Sequence, residues 1–216
     1  VLGYSQRTNR KRRSKKRDPN RDRQMRLILR TRRAFLKAGK PVISVDTKKK
    51  ELIGNFKNAG RTWRKHAVEV LATDFLSDAE GKAIPYGIYD VHHNTGFVVV
   101  GTSHETAQFA VAAIHRWWRK AGHVIYAGQD HLLIEADGGG ANSNRSWLWK
   151  AELQALADAF NLTITVRHLP PSASKWNLIE HRLFGPITLN WAGQPLASYE
   201  TVLKFIRTTK TTTGLR

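Results

Sequence analysis

Two short apolar runs that each stop on an aspartate constrain this chain most. Val42-Ile43-Ser44-Val45-Asp46 and Leu132-Leu133-Ile134-Glu135-Ala136-Asp137 both read as buried strands with an acid at the exit. Further strand patterns lie at residues 86–91, 97–100 and 162–166. The short link through Asn94 and Gly96 predicts a hairpin between the first two of these. Apolar residues recur at helical spacing from Thr106 to Ala121, with Gly122 as the stop, and again from about Ser143 to Phe160. Shorter helices are expected around residues 175–184 and 199–206.

From residue 42 the element order is therefore β-β-β-α-β-α-β-α. Strands one to three, tightly linked, are expected to form an antiparallel meander. Strands one, four and five can lie parallel through right-handed helical crossovers. The expected fold class is α/β, a mixed five-stranded sheet flanked by helices.

That layout puts Asp46 and Asp137 at the carboxyl edge of the sheet, where ligands usually bind. Glu180, on the helix after the fifth strand, is expected to reach the same edge. An aspartate at a strand end is often only a turn residue; the joint placement of three acids is what suggests chemistry. Three carboxylates in one place would repel and raise their own pKa values, an objection that a divalent cation removes. Two hard cations about 4 Å apart would activate a nucleophile and stabilise the leaving oxygen at a phosphodiester. Glu135 shares the face of Asp137 but lies deeper, and is expected to be a structural acid paired with Arg or Lys.

Charge indicates the partner. The 216 residues hold 36 Lys and Arg against 17 acids, a formal net of +19. Residues 1–40 carry 16 of those cations against two acids, so most of the excess sits in the first fifth of the chain. Such a block seeks a polyanion. Arg10, Lys11, Arg12, Arg13, Lys15, Lys16 and Arg17 are expected to be disordered alone and to contact DNA phosphates. After Pro19 an Arg-studded helix is expected, with Asn20 as its cap and Gly39 as its stop. Lys48, Lys49 and Lys50 form a second basic candidate surface.

Other chemistries are excluded or weak. Without cysteine there is no disulfide, no thiolate zinc site and no thiol nucleophile. No run of 18 apolar residues exists, and no secretory signal is expected. Gly138-Gly139-Gly140 lacks the Gly-Lys-Ser/Thr ending of a nucleotide loop. His92 and His93 would face opposite sides of a strand, and Ser143 and Ser146 lack a His–Asp partner by spacing.

Three blocks resemble a known family. They are Ser44-Val45-Asp46-Thr47-Lys48-Lys49-Lys50-Glu51-Leu52, Ala136-Asp137-Gly138-Gly139-Gly140, and Pro170-Pro171-Ser172-Ala173-Ser174-Lys175-Trp176-Asn177-Leu178-Ile179-Glu180-His181-Arg182-Leu183-Phe184. Together they resemble the Rhodopirellula-type DDE transposases, a bacterial insertion-sequence group, and the last is similar to the Pro-Asn-Pro-Ile-Glu motif of mariner-like transposases. That family usually has Gly-Thr where this chain has Ser172-Ala173.

The resemblance implies a ribonuclease H-like fold, with Asp46, Asp137 and Glu180 as a catalytic triad holding two Mg²⁺ or Mn²⁺ ions. It implies hydrolysis at a transposon end, followed by attack of the freed 3′ hydroxyl on target DNA. Lys175, Trp176 and Asn177, just ahead of the Glu180 helix, are expected to position that helix and the DNA. The expected organisation is a basic extension over residues 1–40, partly disordered then helical, a catalytic domain over 41–190 and a helical tail over 191–216. Relatives extend further at both ends, so a truncated core is expected. The expected setting is the bacterial cytoplasm at the nucleoid, without membrane, in a homo-oligomeric synaptic complex. The alternatives are a non-catalytic nucleic-acid-binding protein on the same fold and a metal-dependent structure-selective nuclease.

Overall fold

The structure, a computed structural model, describes residues 19–171, 173 and 176–215. The expected DNA contacts Arg10, Lys11, Arg12, Arg13, Lys15, Lys16, Arg17 and Lys175 lie outside the described residues, as does the expected disorder of the first block.

Six strands form one mixed sheet: β1 (Val42–Thr47), β2 (Glu51–Ile53), β3 (Gly81–Asp90), β4 (Thr95–Gly101), β5 (His131–Ala136) and β6 (Thr163–His168). β1, β5 and β6 run parallel, while β3 lies antiparallel to β1, β2 and β4. The sequence predicted five strands. The sixth, β2, has only three residues and sits in a basic, glycine-punctuated stretch with no alternation of its own. The link from β1 to β3 is also not tight, because the chain leaves through β2 and a long loop before returning. Pro85 sits where β3 changes partner from β2 to β1, and its carbonyl accepts the Lys48 N–H at 2.8 Å.

The period-2 alternation of the strands divides the core. Ile43, Val45, Ile88, Leu132 and Ile134 face α2 (Ala107–Trp117) and α4 (Trp147–Phe160) on one side. Both helices have hydroxyl caps: Thr106 accepts the Phe109 N–H at 3.1 Å and Ser146 the Trp149 N–H at 3.2 Å. Gly122 does not stop α2, as its sequence position suggested. Its φ is −56° and the helix continues through a π turn, Trp118–Gly122, into α3 (His123–Ile125). The glycine is needed for packing, since a Cβ there would come within 2.7 Å of the Trp118 ring.

The other sheet face carries two covers. α1 (Arg21–Lys37) lies on the β5–β6 side, with Ile28 against Leu169 and Ala173. Arg32 forks onto buried Glu135 at 2.6–3.0 Å, the structural role expected for that acid. A π turn, Glu180–Phe184, runs into α5 (Gly185–Asn190) and covers β1, β3 and β4. Ile179, Phe184, Ile187 and Trp191 share one cluster with Val202 of α6 (Tyr199–Thr208) and with Leu215, so residues beyond 190 complete the same core. Among the described residues no helix is long and apolar enough to cross a membrane.

Candidate active site

Strand register places the first two acids. Ser44 pairs with Glu135 and Val45 with Ala136 in the parallel β1–β5 ladder. Asp46 is the next residue of β1 and Asp137 the first residue after β5, so by alternation they leave the sheet side by side and on the same face, the one covered by the Glu180 turn. Adjacent strands lie only about 4.8 Å apart.

Glu180 reaches that edge because the sheet beneath it is bare. Gly87 pairs with Asp46 across β1 and β3. A Cβ at Gly87 would come within 2.5 Å of the Phe184 ring and 2.8 Å of Ile179 Cδ1. At Gly96 a Cβ would meet Leu183 at 2.4 Å. Two glycines thus form the floor on which Ile179, Leu183 and Phe184 rest. The widened turn is closed by the Gly185 N–H, which donates to the Glu180 carbonyl five residues back.

Two buried amides hold the aspartates. The Asn177 amide nitrogen donates to Asp46 Oδ2 at 2.8 Å, and its carbonyl oxygen accepts from Ser44 Oγ at 2.8 Å. Ser44 Oγ also accepts the Ile179 N–H at 3.3 Å, so it caps the Glu180 turn. Asn142 repeats the arrangement at the second acid. Its side chain hydrogen-bonds Asp137, and its carbonyl oxygen accepts from the buried Tyr86 hydroxyl at 2.8 Å. Both asparagines are 1% exposed, so their orientations are set by these partners.

The electrostatics are those of crowded acids. Burial, then the charge of Asp137 and, more weakly, that of Glu180 push the Asp46 carboxyl from 3.8 up to about 7, against the Thr47 N–H and the Asn177 amide. Burial raises Asp137, against the Gly139 N–H and Asn142. Burial also raises Glu180, opposed by Lys48 and His181 and reinforced by Asp137. Asp137 thus acts on both of the other acids. Among the described residues, no three His, Asp or Glu side chains already stand closed around a common metal position. The donor set nevertheless suits a hard divalent cation: three carboxylates with raised proton affinity, whose mutual repulsion such an ion would neutralise.

The basic candidates separate. Lys49 and Lys50 are exposed, and Lys50 reaches Glu105 at 3.2 Å. Trp176 is half exposed beneath the Arg21 guanidinium, 4.9 Å from its ring centre. Lys48 and Asn177 are buried, not exposed groups. Lys48 is 6% exposed, bonded to Glu51 at 2.8 Å and set over the Trp191 ring at 4.4 Å. Its ammonium is an internal counter-charge for Glu180.

Sequence reasoning missed Ser44, Asn142, Tyr86 and Glu105. Ser44 carried a signal, since it lies two residues before Asp46 and so on its face. Glu105 acts at a distance on both Tyr86 and Asp137, and a Cβ at Gly140 would touch its carboxylate at 2.8 Å. No local pattern marks it.

None of the curated protein sequences matches this chain. Among solved structures it is similar to the Mos1 transposase paired-end complex with left transposon end, at 15% identity and a TM-score of 0.61, covering 95% of this chain and 59% of that one. The Mos1 mariner paired-end complex with Mn gives 17% identity, a TM-score of 0.58 and coverage of 95% and 59%. The isolated catalytic domain of Mos1 mariner transposase gives 14%, 0.54, and coverage of 87% and 78%. This chain thus spans about three fifths of the full Mos1 chains, and the shared fold is the ribonuclease H-like mixed sheet. The family model described as the Rhodopirellula transposase DDE domain matches residues 1–216 from end to end, and the chain belongs to that family.

Proposed function

We propose that this chain is the catalytic core of a DNA transposase, with Asp46, Asp137 and Glu180 as its reacting carboxylates. The observation that carries the reading is the placement of Asp46 and Asp137 on one face at adjacent strand ends, with the Glu180 turn tied to Asp46 through Asn177. Residues 41–190 supply this site, residues 191–215 complete its core, and residues 1–40 supply basic charge.

Asp46, Asp137 and Glu180 would hold two Mg²⁺ or Mn²⁺ ions. Such a pair supplies an activated oxygen nucleophile and a clamp on the leaving oxygen of a phosphodiester. Mos1, on the same fold, was solved in a paired-end complex with Mn, which supports divalent metal use. The chain's own contribution is positional. Asn177 and Asn142 fix the rotamers of two acids, Lys48 opposes the upward push of burial on Glu180, and Gly87 lets the third acid come close. The substrates would be a transposon end, cleaved to free its 3′ hydroxyl, and target DNA attacked by that hydroxyl. A synaptic homo-oligomer acting at the bacterial nucleoid fits that chemistry.

The test is a strand-cleavage assay with Mn²⁺ on duplexes carrying the element's terminal repeats. The unmutated chain is expected to nick at the repeat boundary and Asp46→Asn to lose at least 10³-fold of that activity, on the order of the loss for one key transition-state contact. Equal cleavage by both chains would remove Asp46 from the chemistry. Cleavage without regard to the repeats would favour the nuclease reading.

A further inference from the structure

The outer face of α1 has no role in the site just described. The geometry points to a phosphate-tracking ridge there, formed by Arg23, Arg26, Arg30, Arg33 and Lys37, that seats a DNA duplex and leads it to the carboxylate edge. This deepens the transposase reading and rests on it for the identity of the polyanion.

The ridge follows from helical phase. At 100° per residue those five positions fall within about 80° of arc, opposite the inward-facing stripe of Met25, Ile28, Arg32 and Phe35, with Ile28 buried. All five ridge residues are exposed, and among the described residues none makes an ion pair or a side-chain hydrogen bond. The cations of the inner face are engaged, Arg32 on Glu135 and Arg21 over the Trp176 ring. From Arg23 to Lys37 the row spans about 21 Å, some six base pairs of duplex.

The direction of α1 gives the ridge its meaning. Phe35 meets His131 at the start of β5, Arg32 meets Glu135 near its end, and Ile28 meets Leu169 and Ala173 beyond the carboxyl edge. Arg21 lies over Trp176, four residues before Glu180. The helix therefore runs from the catalytic edge down the outside of the sheet, with Arg23 at the end of the ridge nearer that edge and Lys37 at the far end.

A merely solvated helix face would not be written this way. Such faces usually alternate sign, because like charges three or four residues apart weaken a helix. Here four successive like pairs follow one another, 23/26, 26/30, 30/33 and 33/37. The only acid is Asp22 in the first turn. A polyanion turns that repulsion into attraction by releasing its counterions.

The experiment uses the full chain with Arg23, Arg26, Arg30 and Arg33 all changed to Gln, which keeps helix propensity. Affinity for a random 30-base-pair duplex is measured against salt. A charge-matched control changes Arg116, Arg119, Lys204 and Arg207, exposed cations on other helices, to Gln. The ridge variant is expected to lose roughly 3 to 4 from the slope of log affinity against log salt, at about 0.9 per phosphate, while the control loses less than one. An unchanged slope overturns the ridge, as does an equal loss in the control. So does a loss confined to binding of phosphatidylserine vesicles, which would make the face a membrane contact. A parent chain that binds through the ridge but never cleaves with Mn²⁺ would sink the enzymatic reading and leave the ridge standing. A chain that cleaves with an unchanged slope would do the reverse.

Discussion

Asn177 donates to Asp46 at 2.8 Å from a position that is itself 1% exposed. The amide thereby couples the end of the first strand to the start of the turn that carries Glu180. Replacing it tests that coupling. Asn177→Ala leaves the Ser44 hydroxyl and an Asp46 oxygen short of partners in a buried place, a cost of about 2–3 kcal/mol. Chemical denaturation should register that loss, and cleavage should fall further than stability alone explains. Full activity in a destabilised variant would mean that Asn177 is only part of the core.

Gly87→Ala places a methyl group into the Phe184 ring. Overpacking of this kind costs about 1–3 kcal/mol. The displaced turn should also carry Glu180 away from the aspartates. Phe184→Leu combined with Gly87→Ala should recover part of both losses, so the two changes should be non-additive in a double-mutant cycle. Simple additivity would show that the contact does not position Glu180.

Stability of the metal-free chain should fall as pH rises. Unfolded, Asp46 gives up its proton near 3.8, whereas the folded chain holds it up to about 7. Between those values the folded state binds more protons, so unfolding becomes easier with each step upward in pH. The raised Asp137 and Glu180 act in the same sense. Melting temperature in chelator should therefore decline from pH 4 to 7 and level off above, with Asp46→Asn flattening the decline. A rise over that window would contradict the crowded-acid description.

Added Mg²⁺ or Mn²⁺ should reverse the decline by binding the ionised carboxylates, a stabilisation that grows with ion concentration. The Asp46→Asn/Asp137→Asn double variant should melt higher than the parent in chelator and respond little to either ion. Calorimetric titration that gave equal binding to parent and double variant would place the cations elsewhere.

Lys48→Met separates an internal cation from a DNA contact. Removing the ammonium strands Glu51 and takes the counter-charge from Glu180, a loss of roughly 3 kcal/mol for a broken buried pair. The salt slope of duplex binding should stay the same. A fall in slope close to 0.9 would return Lys48 to the DNA surface.

Much of this arrangement was legible in the sequence, because strand ends are local. The runs closing on Asp46 and Asp137 gave the parallel pair, and the alternation of Glu135 with Asp137 gave its structural role. What was not legible depended on contacts between distant segments. β2 exists only because β3 extends past β1 to meet it. Lys48 looked like surface charge in a basic run, whereas its ammonium sits over the ring of Trp191, far along the chain. Gly122 looked like a helix stop, whereas its lack of a side chain serves the two tryptophan rings beside it. Asn142 has no periodic signal at all; its meaning comes from Tyr86 on β3.

The widened turn at Glu180–Phe184 sets a reading frame. One extra residue in a turn shifts everything after it by about 100° around the helix axis. Glu180 faces the acids in one phase, while Ile187 and Trp191 are buried in the next. Removing any single residue between 181 and 185 would merge the two phases, so either the carboxylate or the apolar stripe would turn to the wrong side. Between the third acid and the core that anchors it, the count of residues is itself part of the chemistry.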